Sequence, residues 1–162
     1  MHRTGGFTII ELIVAIAVLA ILLTIGVPSI QQLIKNNRVT AQTNELVSVI
    51  NFARNESIRR NQSVDMDLIS NASGWSAEVR SPDGAEDSEG CTVGVLRCAD
   101  YNGVLLPSGT DSFAFNNRGY VDGFTQVDIV LQHTDCSGDR QRREITILPT
   151  GQVSSTDAAC VE

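Results

Sequence analysis

Glu11 is the one charged residue in an otherwise apolar stretch of 21 residues, Phe7–Val27. A carboxylate placed in the apolar core of a membrane costs roughly 2.5–3.5 kcal/mol on insertion scales, so a charge kept there is read first as a functional group. A buried carboxylate needs a cationic partner. Four cysteines, Cys91, Cys98, Cys136 and Cys160, form a second set able to do chemistry. A third set is basic, Arg140, Arg142 and Arg143, and a fourth is acidic, Asp83, Glu86, Asp87 and Glu89.

The element that must position Glu11 is a helix. At about 1.5 Å per residue the run Phe7–Val27 is about 31 Å long, enough to cross a bilayer core. The short leader Met1–Gly6 is basic through Arg3, which keeps the N-terminus cytoplasmic. A secretory signal peptide has an apolar core of about 7–15 residues and a small-residue cleavage site. Here the core is longer, and Pro28-Ser29-Ile30 is no such site. An ordinary signal anchor fits the length but leaves Glu11 unexplained.

Pro28 is expected to kink the helix rather than end it. Beyond it Ile30, Leu33 and Ile34 continue an apolar stripe, and Leu46, Val49, Ile50 and Ala53 recur at helical spacing. The spacing predicts one helix from about Thr8 to Arg60, apolar all round in its first half and on one side in its second. From Ser63 the period becomes two. Val64, Met66 and Leu68 alternate with polar residues, as do Trp75, Ala77 and Val79, and Asn71–Gly74 reads as the turn between them. Further strands are expected at Thr92–Arg97, Gly103–Leu106, Ser112–Asn116, Gln126–Gln132, Glu144–Leu148 and Gln152–Ser154, with a loop over Ser81–Gly90. The fold class is α+β, with an antiparallel sheet on the second half of the helix.

The cysteines lie beyond the anchor, where an even count in an oxidising compartment reads as two disulfides. Of three connectivities, Cys91–Cys98 and Cys136–Cys160 are the expected pairs. The first closes a small loop, and the second ties the C-terminal tail to a preceding strand edge. Zinc is disfavoured, because the spacings lack the two-residue knuckle and His2 and His133 are poorly placed to help. The acidic cluster lacks the alternation of a calcium loop and reads as solvated. His133 falls on an expected strand as a structural histidine. No nucleophile motif frames any serine, and no cofactor or metal is expected. Arg54 reads as a residue pairing along a solvated helix face.

Gly5-Gly6-Phe7-Thr8-Ile9-Ile10-Glu11-Leu12 resembles the class III signal of type IV pilins and type II secretion pseudopilins. The resemblance implies a dedicated prepilin peptidase cutting between Gly6 and Phe7, then N-methylation of Phe7. It implies that Glu11 meets the Phe7 amine of a neighbouring subunit during assembly. The amine is also one helical turn from Glu11 in its own chain, and the sequence leaves both pairings open. The implied domains are a leader, 1–6, a transmembrane and assembly helix, 7–28, and a periplasmic head, 29–162, in a single-pass inner-membrane protein later incorporated into a pilus at the cell surface.

The head narrows the family. Thr43–Val47, Asn51–Asn61, Phe115-Asn116-Asn117-Arg118-Gly119, Glu144–Val153 and Cys160 resemble the FimT/FimU/GspH-like minor pilins. This implies a structural subunit that helps initiate pilus assembly near the tip, with other major and minor pilins as partners. The alternatives are a GspH-like type II secretion pseudopilin and a DNA receptor of natural transformation. Receptors of this group carry Gly-Arg-x-Arg in the C-terminal hairpin. Here Gly151-Gln152-Val153-Ser154 stands in that place, and Asp135, Asp139 and Glu144 dilute Arg140, Arg142 and Arg143. The net charge of −7 becomes −8 once Arg3 leaves with the leader, which also disfavours nucleic acid.

Overall fold

The computed structural model of the chain describes residues 8–83, 91, 94–108 and 112–161. Among these residues one helix, α1 (Ile9–Arg60), precedes eight strands: β1 (Val64–Ser70), β2 (Gly74–Arg80), β3 (Val95–Asn102), β4 (Val104–Ser108), β5 (Ser112–Phe115), β6 (Val127–His133), β7 (Arg142–Ile147) and β8 (Val153–Ala158). A short 3-10 turn, Asp122–Phe124, lies between β5 and β6. The chain divides into two compact units between Ile34 and Lys35.

In the first unit the helix continues through Pro28 and does not end there. Its apolar side chains from Ile9 to Ile34 are exposed, and none of its most apolar 18-residue window is buried. In water such a surface has no stable cover, because apolar area left in solvent costs about 25 cal/mol per Å².

In the second unit α1 buries one stripe. Val39, Leu46, Val49, Ile50 and Ala53 are fully buried and join one apolar core with strand residues such as Val64, Met66, Trp75, Phe115, Ile129 and Ile145. Their three- and four-residue spacing puts them on one helix face. The helix ends in a Schellman motif: Asn61 takes a positive φ of 53°, its N–H donates to Ile58 O, and the Gln62 N–H donates to Ser57 O. Asparagine tolerates this left-handed geometry, which explains the stop after Arg60.

The expected antiparallel sheet is divided into two four-stranded sheets, ordered β3-β2-β1-β5 and β4-β6-β7-β8. Alternation tells which side chains of a strand are buried. It does not tell which strand is the hydrogen-bonding neighbour, so this division was not visible in the pattern. β1 and β2 pair with Leu68 opposite Ala77 and Met66 opposite Val79, placing Val64, Met66, Leu68, Trp75, Ala77 and Val79 on the buried face. The strand expected at Thr92–Arg97 is displaced. β3 begins at Val95 and runs to Asn102, with Val95, Leu96 and Ala99 buried, and Thr92-Val93 lie outside the described residues.

A buried amide bridges helix and sheet. The Trp75 indole N–H donates to Gln42 Oε1 at 2.8 Å, and Gln42 Nε2 donates to Asn102 O at 2.9 Å. Both polar ends of Gln42 are thereby satisfied in the core.

Candidate functional site

Three places carry the residues of interest: the start of α1, the two turns over its last part, and the loop after β6.

At the start, Thr8 and Glu11 form a capping box. The Glu11 N–H donates to Thr8 Oγ1 at 3.3 Å, and Glu11 Oε2 accepts from the Thr8 N–H at 3.2 Å and the Thr8 hydroxyl at 3.0 Å. Two backbone donors of the first turn are satisfied reciprocally, and the carboxylate stands at the positive end of the helix dipole. This local role was missed in the sequence, although Thr8-Ile9-Ile10-Glu11 carries the Thr-x-x-Glu signature. Gly6 and Phe7 lie outside the described residues.

At the second place, Arg54 departs from expectation. The sequence alone points to partners for this arginine along a solvated helix face. Instead its Nε donates to Gly119 O at 3.0 Å and its Nη2 to Thr150 O at 3.2 Å. The physical reason is the closeness of two turns. In one, the Asn116 side chain accepts from the Arg118 and Tyr120 N–H groups. The other closes through the Gly151 N–H to Leu148 O at 2.8 Å. Gly119 and Gly151 both have positive φ, 77° and 78°. A Cβ on Gly151 would lie 2.2 Å from Gly119 O and 2.6 Å from Arg54 Nε, so side chains are excluded there by space as well as by backbone. The Phe115-to-Gly119 and C-terminal hairpin motifs are thus one structural unit, joined through a helix arginine.

Beside Arg54 the helix carries a charged knot. Glu56 accepts from Arg59 Nε at 3.0 Å and Nη2 at 2.6 Å, and from Arg60 Nε at 2.9 Å. The Arg59 hydrogen bond, with help from Arg60, holds its carboxyl below the usual range against the opposing effect of burial. Arg60 also meets Asp83 at 3.2 Å. Glu86, Asp87 and Glu89 of the same acidic cluster lie outside the described residues.

The cysteines pair as Cys91–Cys98, whose second member lies on β3, and, at the third place, as Cys136–Cys160, with Cα separations of 5.7 and 5.8 Å. Cys136 stands in the loop after β6, so its bond ties the tail to that loop rather than to a strand edge. Lys35 Nζ donates to both the carbonyl and the carboxylate of Asp135. His133 is buried, and its Nδ1 accepts the Asp135 N–H at 3.0 Å. Burial first, then Lys35 and Arg38, lower its pKa.

The three arginines are not one free patch on a turn. Arg140 is exposed, but Arg142 and Arg143 lie on β7. Arg142 pairs with Glu144 at 3.1 Å and Arg143 with Asp157 at 2.8 Å. Among the described residues no group of three or more His, Cys, Asp or Glu could hold a metal ion.

Residues 42–151 match the family model of the type II transport protein GspH, and residues 1–27 match the prokaryotic N-terminal methylation motif. The chain belongs to the GspH family. Pilins and pseudopilins of this kind are structural proteins that assemble with other pilins and are processed at the methylation motif. Among curated protein sequences, none matches this GspH-family chain. Two crystal structures of the type IV minor pilin FimU from Pseudomonas aeruginosa share its fold. One aligns with a TM-score of 0.57 and 14% identity over 73% of this chain and 87% of that one. The other gives 0.56 and 13% over 72% and 91%. For this GspH-family member the α+β reading therefore holds, with a long N-terminal helix and an antiparallel head.

Proposed function

We propose that this chain is a minor type IV pilin that helps initiate pilus assembly near the tip. The observation that carries the reading is the contrast along α1. Its first part exposes apolar side chains all round and bears one carboxylate, Glu11, whereas its second part is the spine of a head with FimU-type fold. A helix of that kind needs two successive apolar surroundings, the bilayer and then the helices of neighbouring subunits. On this reading residues 1–6 are a leader and residues 7–28 span the inner membrane, while residues 29–162 form the periplasmic head. Cleavage falls between Gly6 and Phe7, Phe7 is N-methylated, and Glu11 meets the Phe7 amine of a neighbour. The partners are the prepilin peptidase and other major and minor pilins.

A type II secretion pseudopilin is the second reading, favoured by the match to the GspH family model over residues 42–151. Fractionation decides between them. The pilin reading expects the chain in sheared surface filaments, and fewer pili with unchanged enzyme secretion when it is deleted. Loss of secretion with normal piliation would instead make it a pseudopilin. Binding of DNA through Arg140, Arg142 and Arg143 gains little support, since Arg142 and Arg143 already face carboxylates.

A further inference from the structure

The filament reading makes no use of the loop after β6, yet this loop joins the chain's single lysine to a disulfide. Lys35 precedes the first fully buried apolar residue of α1, Val39, by one helical turn. Lys35 is held through Asp135, whose carbonyl and carboxylate both accept from Nζ. Asp135 adjoins Cys136, which is bonded to Cys160.

Hydrogen bonds around the fully buried Gln141, and one from the Thr134 N–H to Gly103 O at 3.3 Å, shape the loop. The His133 N–H donates to Gln141 O at 2.8 Å, and the Ser137 N–H donates to Gln141 Oε1 at 2.9 Å. The Asp135 N–H is fixed on His133 Nδ1. The tail beyond Cys160 closes on β6, with Gln132 Nε2 donating to Val161 O at 3.0 Å and the Val161 N–H donating to Gln132 Oε1 at 3.4 Å. Without the covalent bond, the loop and the tail would keep these contacts and the strand pairing that reaches Gln132, Arg142 and Ala158 on either side of them, but no covalent link would join Cys136 to Cys160. A crosslink restricts the conformations that each can reach. Asp135 offers a geometrically fixed pair of acceptors only while its loop is fixed.

We propose that the Cys136–Cys160 disulfide is a redox-sensitive latch that sets, through Asp135 and Lys35, where α1 becomes anchored to the head. With the bond formed, the helix is held from Lys35 onward. With the bond reduced, the anchor retreats to Val39 and one more turn is free. Reduction by a dithiol is balanced in the usual way. One dithiol thiolate attacks a cysteine sulfur and releases the other as a thiolate, which takes up a proton. The second dithiol sulfur then closes the cyclic disulfide, leaving two cysteine thiols and an oxidised reagent.

The test measures amide hydrogen exchange in the full chain in detergent micelles, carrying Cys91→Ser and Cys98→Ser so that dithiothreitol acts on one bond. Reduction is expected to speed exchange at residues 36–42 about fivefold while residues 46–60 keep their protection. Lys35→Gln should give the same acceleration with the disulfide intact, and reduction should then add little. Cys136→Ser with Cys160→Ser in the otherwise unmodified chain gives the same comparison without reductant. Unchanged exchange at 36–42 would overturn the latch. So would an equal further acceleration in Lys35→Gln, or loss of protection throughout 46–60, which would make the bond a global staple.

Discussion

Arg54 Nε donates to the carbonyl oxygen of Gly119 at 3.0 Å, across 65 positions of sequence. With its second bond to Thr150 O, this one side chain holds the turn after β5 against the turn between β7 and β8. The exclusion of side chains at Gly119 and Gly151 follows from that geometry. Gly119 faces Ile58 and Arg54, and Gly151 faces Gly119 and Arg54. An arginine reaching two carbonyls needs turns without Cβ atoms in its way.

Removing this arginine should therefore cost more than removing an exposed one. Arg54→Met leaves two turn carbonyls without their donor, a loss of about 1–3 kcal/mol. Arg118→Ala, exposed on the same turn, should stay within about 0.5 kcal/mol of the unmodified chain. Trp75 is the only tryptophan and is fully buried, so its fluorescence reports unfolding by urea in detergent micelles. Equal midpoints for the two variants would show that Arg54 does not hold the turns in solution.

Stability should also depend on pH, with the same sign at two residues. Glu56 has a folded pKa lowered chiefly by its hydrogen bond from Arg59. Its contribution is present above about 4.3, the ordinary glutamate value, and is lost as pH falls through the lowered one. His133 is lowered chiefly by burial, so the unfolded chain takes up the proton first. Its contribution is present above about 6.5 and declines as pH falls toward the folded value. His133→Gln should flatten the urea-midpoint profile between neutral and mildly acidic pH. Glu56→Gln should flatten it only below about pH 4.3. A profile unchanged by either substitution would remove both assignments.

These two kinds of feature differ in how far they can be read before folding. The extent of α1 was legible because Leu46, Val49, Ile50 and Ala53 state a helical period locally, and β1 and β2 because Val64–Leu68 and Trp75–Val79 state a period of two. The bond from Arg54 to Gly119 was not, since a helix arginine carries no mark of a partner so far along the chain. Nor was the pairing of β5 with β1 in one sheet and of β4 with β6 in the other, a matter of tertiary closure. The Thr8–Glu11 box is the opposite case. It was local and readable, and the functional interest of Glu11 obscured it.

Maturation gives a direct check on the N-terminus. Gly6 stands between a basic leader and the apolar run, and residues 1–27 match the methylation motif. Mass spectrometry of the mature protein should find a chain that begins at Phe7 with a methylated amine. A chain beginning at Met1, or cut after Pro28, would remove the basis for the assembly role of Glu11.

That role and the capping box make separable demands on Glu11, and substitution can tell them apart. The box needs an acceptor at this position to receive the Thr8 N–H, and glutamine serves there as well as glutamate. Docking to an α-amine needs the negative charge. Glu11→Gln thus keeps the cap and loses the charge, Thr8→Val loses the hydroxyl of the cap and keeps the charge, and Glu11→Ala loses both. Insertion should be intact in all three and eased in the two without the charge, which is costly in the apolar core. If charge pairing drives assembly, Glu11→Gln and Glu11→Ala should be depleted in sheared filaments to a similar degree, with normal cleavage at Gly6 and normal abundance in the membrane. Thr8→Val should enter nearly as well as the unmodified chain, and Arg142→Ala in the head should have a smaller effect than either Glu11 variant. If instead Glu11→Gln assembles normally and Thr8→Val does not, the carboxylate acts by starting the helix, and the contact between subunits lies elsewhere.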